Sequence, residues 1–349
     1  MSRSFILATL AFFMTAVSAS AQVMIEIQEN VGVFILGGEA AAPDKAAIPQ
    51  ISAPVDNIVT ADWLYSRPQQ TKIVCIVPSD FSAPPRLLLT DPKYINDLCV
   101  HGSPSWSPDG RRIAFNVQRS SEQLTDARMI TVNFDGSDVK DLGLGLMPNY
   151  SADGKQITFC GYEAVGRVCI MNADGSQRQG IPNADDGWGS QWSPDGRWIA
   201  FHRYTSPPQI TLYEVATGQS RDLIPNAKNP YLHIFWNMAW SPDSRKIAFL
   251  ANSTNDYSTE NYDCKVGVVS IDADAFQVDQ FSQTQLVHPH IDFSRDGKQL
   301  LYPQDGCLLV VDVEHPDAEP QPLPKQFTDF GYGSASYSPD GKWIAVQLY

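Results

Sequence analysis

The chain is short of positive charge. Its 25 lysines and arginines stand against 39 aspartates and glutamates in 349 residues, a formal net charge of −14. That deficit provides no basic groove for a nucleic-acid backbone and repels anionic lipid, so nucleic acid is excluded as a partner. Long apolar runs are also scarce. The one at the start, Phe5 to Val17 behind a single charge at Arg3, is too short to span a bilayer and ends in Ser18-Ala19-Ser20-Ala21. The pattern predicts a secretory leader over residues 1–21, cut before Gln22, with no cysteine at the cut to carry a lipid. No later stretch is apolar enough for a membrane span, so a periplasmic or secreted protein is expected. A nucleophile elbow is missing, and the glycine pairs Gly143/Gly145, Gly187/Gly189 and Gly331/Gly333 precede strand patterns rather than the helix a phosphate loop requires.

What the chain does contain is one ten-residue pattern written six times. The copies begin at Trp106 (WSPDGRRIAF), Tyr150 (YSADGKQITF), Trp192 (WSPDGRWIAF), Trp240 (WSPDSRKIAF), Phe293 (FSRDGKQLLY) and Tyr337 (YSPDGKWIAV). Each is an aromatic residue, a four-residue turn and an alternating apolar run, which is the pattern of a tight β-hairpin. Pro194 presets φ for a type I turn, Asp195 is placed to hydrogen-bond local backbone, and Gly196 accepts positive φ, so the aspartate reads as structural. The signature aspartates stand at 109, 153, 195, 243, 296 and 340, separated by 44, 42, 48, 53 and 44 residues. That period is one four-stranded blade. One such sheet cannot bury both faces, whereas six stacked around an axis can. The expected fold is an all-β, six-bladed β-propeller of four-stranded antiparallel blades.

These residues resemble the TolB-type propeller repeat, a WD-like family whose motif is W-S-P-D-G, a basic residue and I-A-F. The resemblance spans about 250 residues in six copies and implies the propeller fold. For function it implies three settings: envelope scaffolds, the propeller domains of serine peptidases, and propeller lyases of pectic oligosaccharides. With the sixth copy ending at Tyr349, a peptidase domain behind the propeller is not expected.

Ahead of the repeats, Val23 to Ile27 alternates apolar and polar residues, Val31 to Leu36 is a second apolar run, and Gly37 to Val55 is rich in alanine and proline. This predicts an arm and linker over 22–55, followed by the propeller domain over 56–349. The arm resembles the start of mature TolB, which implies an extended segment that adds to a partner's sheet. A counterpart of the α/β domain that TolB carries ahead of its propeller is not expected, because residues 22–55 are too few to encode one. The sixth copy supplies only the inner two strands of its blade, so strands near 72–77 and 86–90 are expected to complete it and lock the ring.

Six cysteines in an exported chain predict disulfides. Cys160 and Cys169 lie on successive strands joined by a short loop and are expected to bridge; Cys75, Cys99, Cys264 and Cys307 allow three pairings. Acidic clusters at Asp272/Asp274 and Asn255/Asp256 lack the ligand ladder of a calcium loop, and the polar insertion from Asn252 to Asp263 is either a binding loop or a solvated one. His101 and His288 stand five residues before the aromatic of their copies and His290 three before, so all three approach the axis. The resemblance to the lyases, which use channel histidines with a divalent metal, makes them the candidate metal ligands; the structural alternative is polar packing at strand starts. No other cofactor is expected.

An aromatic required once per blade is a wedge between blades rather than a sugar-stacking belt. Less periodic aromatics stand just ahead of the inner strands. From these, Trp188, Phe235, Trp236 and Tyr332, together with His288, form the candidate binding mouth, with Tyr231 nearby. The expected function is a non-catalytic exported scaffold that binds a protein or cell-envelope component at one channel mouth. Two alternatives stand beside it: a metal-dependent lyase or hydrolase of acidic oligosaccharides, carried by the histidines, and a carbohydrate-binding, lectin-like propeller, carried by the aromatics. The oligomeric state is left open.

Overall fold

A computed structural model describes residues 55–67, 71–95, 99–119, 122–162, 167–253, 265–272, 278–283, 290–315, 318–323, 327 and 329–349. The expected leader, nearly all of the arm, His288, Cys264, and residues 254–264 and 273–277 lie outside them.

Six antiparallel sheets form a ring, and each signature hairpin is the inner pair of one blade. Blade 1 is Cys99–Trp106, Arg112–Arg119, Arg128–Asn133 and Lys140–Leu144. Blade 2 is Leu146–Tyr150, Gln156–Cys160, Val168–Asn172 and Gln179–Gly180, and blade 3 is Gly187–Trp192, Trp198–Arg203, Gln209–Glu214 and Gln219–Asp222. In blade 4 the inner strand is broken into His233–Ile234 and Ala239–Trp240, followed by Lys246–Asn252, Lys265–Ser270 and Val278–Gln283. Blade 5 is Asp292–Phe293, Gln299–Gln304, Cys307–Asp312 and Gln321–Pro322. The outermost strands of blades 2, 3 and 5 are short and polar, which blunts those exposed edges.

The second strands are buried on both faces because each blade is sandwiched between two others. Ile199 and Phe201 pack toward blade 2, while Ala200 between them packs toward blade 4. Ile113 and Phe115 likewise face blade 6, with Ala114 toward blade 2. The I-A-F triplet is thus a large-small alternation that lets consecutive blades interdigitate. The signature aromatics fill the same seams, each at 9% exposure or less. Burial of one such ring contributes about 1.5–3 kcal/mol.

The turns repeat one hydrogen-bond set. In blade 3, Ser193 Oγ donates to Asp195 Oδ1 at 2.5 Å and accepts from the Trp198 amide, while the Arg197 amide also donates to Asp195 Oδ1. The equivalent serine and aspartate make the same bonds in all six copies. The aspartates are therefore turn elements, as their chemistry predicts. Gly196 has φ 73°, and Ser244, standing where the other copies have glycine, adopts φ 60°. Its hydroxyl accepts from the Asp195 amide of the preceding blade at 2.9 Å.

Closure follows the expected scheme. Blade 6 is Tyr332–Tyr337, Trp343–Leu348, then Ile73–Pro78 and Arg86–Leu87 from the other end of the chain. Ile73 lies opposite Leu348 and Pro78 opposite Trp343. The outer strand is shorter than expected because Leu88 and Leu89 leave the ladder for the core between blades 6 and 1.

The expected bridge between Cys160 and Cys169 is not made. In register Cys169 lies opposite Phe159, and Cys160 opposite Val168. Successive residues of a strand face opposite ways, so the two sulfurs lie on opposite faces of the blade. Cys169 packs toward blade 1, and Cys160 is a thiol whose titration burial pushes up to about 11.

Removing residues 343–349 deletes the strand that both termini share. The shortened protein is expected to lose its cooperative thermal transition and its native circular dichroism; a sharp melt in that variant would show that closure is dispensable.

Candidate functional site

At five of the six seams the residue just before a signature aromatic ties its blade to a neighbour. Ser105 Oγ accepts from the Tyr150 amide, Asn149 Oδ1 from the Trp192 amide at 2.8 Å, and Asp292 Oδ2 from the Tyr337 amide at 2.8 Å. Indole donors add two further links, Trp240 to the Gln191 carbonyl and Trp106 to the Ser336 carbonyl. A belt of hydrogen bonds therefore joins blades 4, 3, 2, 1, 6 and 5 in turn around the channel, and Ser105, Asn149 and Asp292 are committed to it. These belt residues are absent from the sequence-derived candidates; their only signal is the position before the aromatic.

Inside the belt is an axial cavity of about 280 Å³ lined by all six blades, among them Asn149, Gln191, His290, Asp292 and Arg295. Asp292 pairs with Arg295 at 2.9 Å. His290 is 9% exposed and bonds the Ala335 backbone, and its Nδ1 has no hydrogen-bond partner. Burial pushes its ring down to about 4, against the opposing pull of Asp292.

His101 does not reach the axis as a ligand. Its Nδ1 accepts from the Val74 amide at 3.2 Å, which leaves Nε2 as the protonated nitrogen, 3.1 Å from the Tyr94 carbonyl that accepts from it. Its own carbonyl accepts from the Gln347 side chain. The ring is a clasp between blade 1 and the closing strands, with no lone pair left for a metal. Among the described residues no three His, Cys, Asp or Glu side chains gather as a metal site, and His288 lies outside them.

The mouth at the start of the inner strands is aromatic between blades 2, 3 and 4. Trp188, 8% exposed, packs against Tyr162 in a tilted contact at 5.2 Å, and the Arg167 guanidinium lies 5.0 Å from the Tyr162 ring and 5.8 Å from the indole. Tyr204, packed against His202 at 4.5 Å, closes this cluster. Burial pushes the Tyr162 phenol up to about 12, so it stays protonated. Across from Trp188 the broken inner strand of blade 4 turns Trp236 outward. The Trp236 carbonyl lies against Gly189, where any Cβ would collide with it. Trp236 is 37% exposed and Leu232 is 47% exposed, while Phe235 meets Trp236 edge-on at 6.3 Å and packs into the core between blades 4 and 5.

The structure thus brings Trp188, Phe235 and Trp236 to one mouth. Tyr332 is excluded: it is 1% exposed, with its hydroxyl donating to the Phe327 carbonyl and its ring edge-on to Phe81. Its place before an inner strand suggested a rim, but the segment around Phe81 and Phe327 covers it. No sequence signal marks Tyr162, Arg167 or Tyr204, which follow second strands or precede third ones.

No family model matches the chain. An uncharacterised protein of Agrobacterium fabrum is 32% identical over 118 residues, which are 29% of this chain and 39% of that protein's length. The solved structure titled putative TolB from Agrobacterium tumefaciens superposes with a TM-score of 0.57 at 16% identity, covering 81% of this chain and 99% of that one. TolB from Acinetobacter baumannii superposes with a TM-score of 0.52 at 16% identity, covering 82% of this chain and 66% of that one. At such identities the likeness concerns the fold: the chain is a TolB-like six-bladed propeller.

Three buried imidazoles make stability depend on pH. Burial lowers His101 and His290 from 6.5 to about 4 and His202 to about 3. The folded pKa lies below the unfolded one, so the unfolded chain binds more protons between these values. The stabilisation is fully present above pH 6.5 and is lost as pH falls toward 4, at ~1.4 kcal/mol per pH unit for each histidine. Urea midpoints measured at pH 7, 6 and 5 are expected to fall steadily, and His101→Gln to flatten the fall by about a third. Constant midpoints across that range would contradict neutral buried rings.

Proposed function

We propose that the protein is a non-catalytic propeller scaffold, exported by the leader read in residues 1–21, that captures a protein or cell-envelope component at the mouth formed by blades 2, 3 and 4. The observation that carries this reading is the break in the inner strand of blade 4. Every other signature strand spends its aromatic residues on packing, whereas here Trp236 and Leu232 stand in solvent beside a rigid platform of Trp188, Tyr162 and Arg167. An irregular strand that re-aims a side chain is a feature of sites rather than of cores, and an indole flanked by a guanidinium is the residue pair most enriched in binding hot spots. The TolB-like fold supports a scaffold role in general terms, and the clasp accounts for both ring nitrogens of His101.

A photo-crosslinking residue at Leu232 in the full chain, expressed with its leader, is expected to trap discrete envelope species, while the same residue at Ser220 on the outer strand of blade 3 traps none. Trp236→Ala is expected to lower capture at Leu232 about tenfold or more with its melting temperature unchanged. Equal labelling from Leu232 and Ser220, or full capture by Trp236→Ala, would refute the mouth.

A further inference from the structure

On the turn side of the ring, away from that mouth, the seam between blades 6 and 1 holds a pocket of about 370 Å³. Three rings line it, Trp106, Phe134 and Trp343, with Asp109 and Asp340 at its edge. Phe134 sits 5.9 Å from Trp106 and 5.0 Å from Trp343. Each carboxylate uses Oδ1 to accept from its own turn and has side-chain exposure above half. The turn serine and the following amide hold both below the ordinary aspartate range, so both are charged at neutral pH.

The repeat itself shows what such a seam accepts. The counterpart of Trp343 in blade 3 is Trp198, and there the chain supplies its own cations: the Arg197 guanidinium lies 4.8 Å from the indole and that of Arg221 lies 5.3 Å from it. Arg221 also donates to the Ile271 carbonyl of blade 4 at 2.6 Å. In register Arg86 of blade 6 matches Arg221, since Ala345 pairs with Ile76 and Ile76 with Arg86, as Ala200 pairs with Leu212 and Leu212 with Arg221. Arg86 keeps the equivalent bond, to the Phe134 carbonyl at 2.7 Å. Phe134, however, stands where blade 4 has Ile271, and its ring draws the Arg86 guanidinium to itself at 5.2 Å. The counterpart of Arg197 is Lys342, whose ammonium lies 3.9 Å from Asp340 instead of over the indole. Two substitutions have therefore taken both internal cations off Trp343 and left a pocket beside it.

We propose that this seam pocket binds the guanidinium of an arginine side chain presented by another polypeptide. A planar guanidinium stacks on an indole face and forks onto a carboxylate, which a compact ammonium cannot do as well. Asp340 and Asp109 supply the carboxylates, and the net charge of −14 favours approach of a cation.

Calorimetric titration of the full chain with N-acetylarginine methylamide, its lysine counterpart and its neutral citrulline counterpart tests this. The arginine compound is expected to bind about tenfold more tightly than citrulline and severalfold more tightly than lysine. Phe134→Ile restores the blade 4 residue and frees Arg86 to cover Trp343, so it is expected to abolish binding while keeping a native melt. Trp343→Leu is expected to do the same. Citrulline binding as tightly as arginine, or a natively folded Phe134→Ile that still binds, would overturn the proposal. Lysine binding as tightly as arginine would overturn it too, in favour of a simple point-charge site.

Discussion

Everything in this molecule depends on the apolar contact between neighbouring blades. A four-stranded sheet with both faces apolar has no stable existence in water, and each blade here acquires one only by being covered on two sides. The signature encodes that contact directly. Its aromatic and its large aliphatic residues point into one seam and its alanine into the other, so one short pattern specifies both halves of an interface. Hydrogen bonds then fix the spacing: the serine-aspartate turns shape each hairpin, and the belt of Ser105, Asn149 and Asp292 holds consecutive hairpins at one distance from the axis.

This arrangement explains why candidate function lies where periodicity fails. Ser105, Asn149 and Asp292 serve the belt, and burial keeps His101 neutral as a clasp. Two departures from the repeat create surfaces with no structural duty. The break in blade 4 exposes Trp236, and the exchange of isoleucine for Phe134 at the seam moves a guanidinium away from Trp343. In both places an aromatic ring that the repeat would normally cover is left accessible.

The ring, its six blades and the pairing of distant strands were legible in the sequence because hairpin chemistry is local and the period is stated six times. Wedges were separable from rim residues for the same reason, since periodicity marks what packing requires. Two of the errors have one physical source, which is contact with segments remote in sequence. Tyr332 is buried by Phe81, and His101 is satisfied by Val74, neither of which any local pattern announces. The pairing of Cys160 with Cys169 failed on parity: a register displaced by one residue turns a side chain to the opposite face, and spacing alone does not define register. The preference of Trp343 for an external cation was hidden likewise, because it rests on the matching of Arg86 with Arg221 across two blades.

The closing blade carries a consequence for how the chain reaches this state. Cys75 lies opposite Val346, 271 residues later. During vectorial synthesis the first strands of the propeller therefore wait, with unsatisfied amides and carbonyls, until the last residues emerge. Contacts of such separation slow folding because loop closure precedes any reward. A chain whose blade is still open carries half of that blade on each side of the gap, each half with an adhesive edge, so two chains emerging side by side can each complete the other's ring. The same strand exchange that seals one molecule is thus its most direct route to misassembly, and crowding of nascent chains sets the hazard more than the stability of the finished ring does.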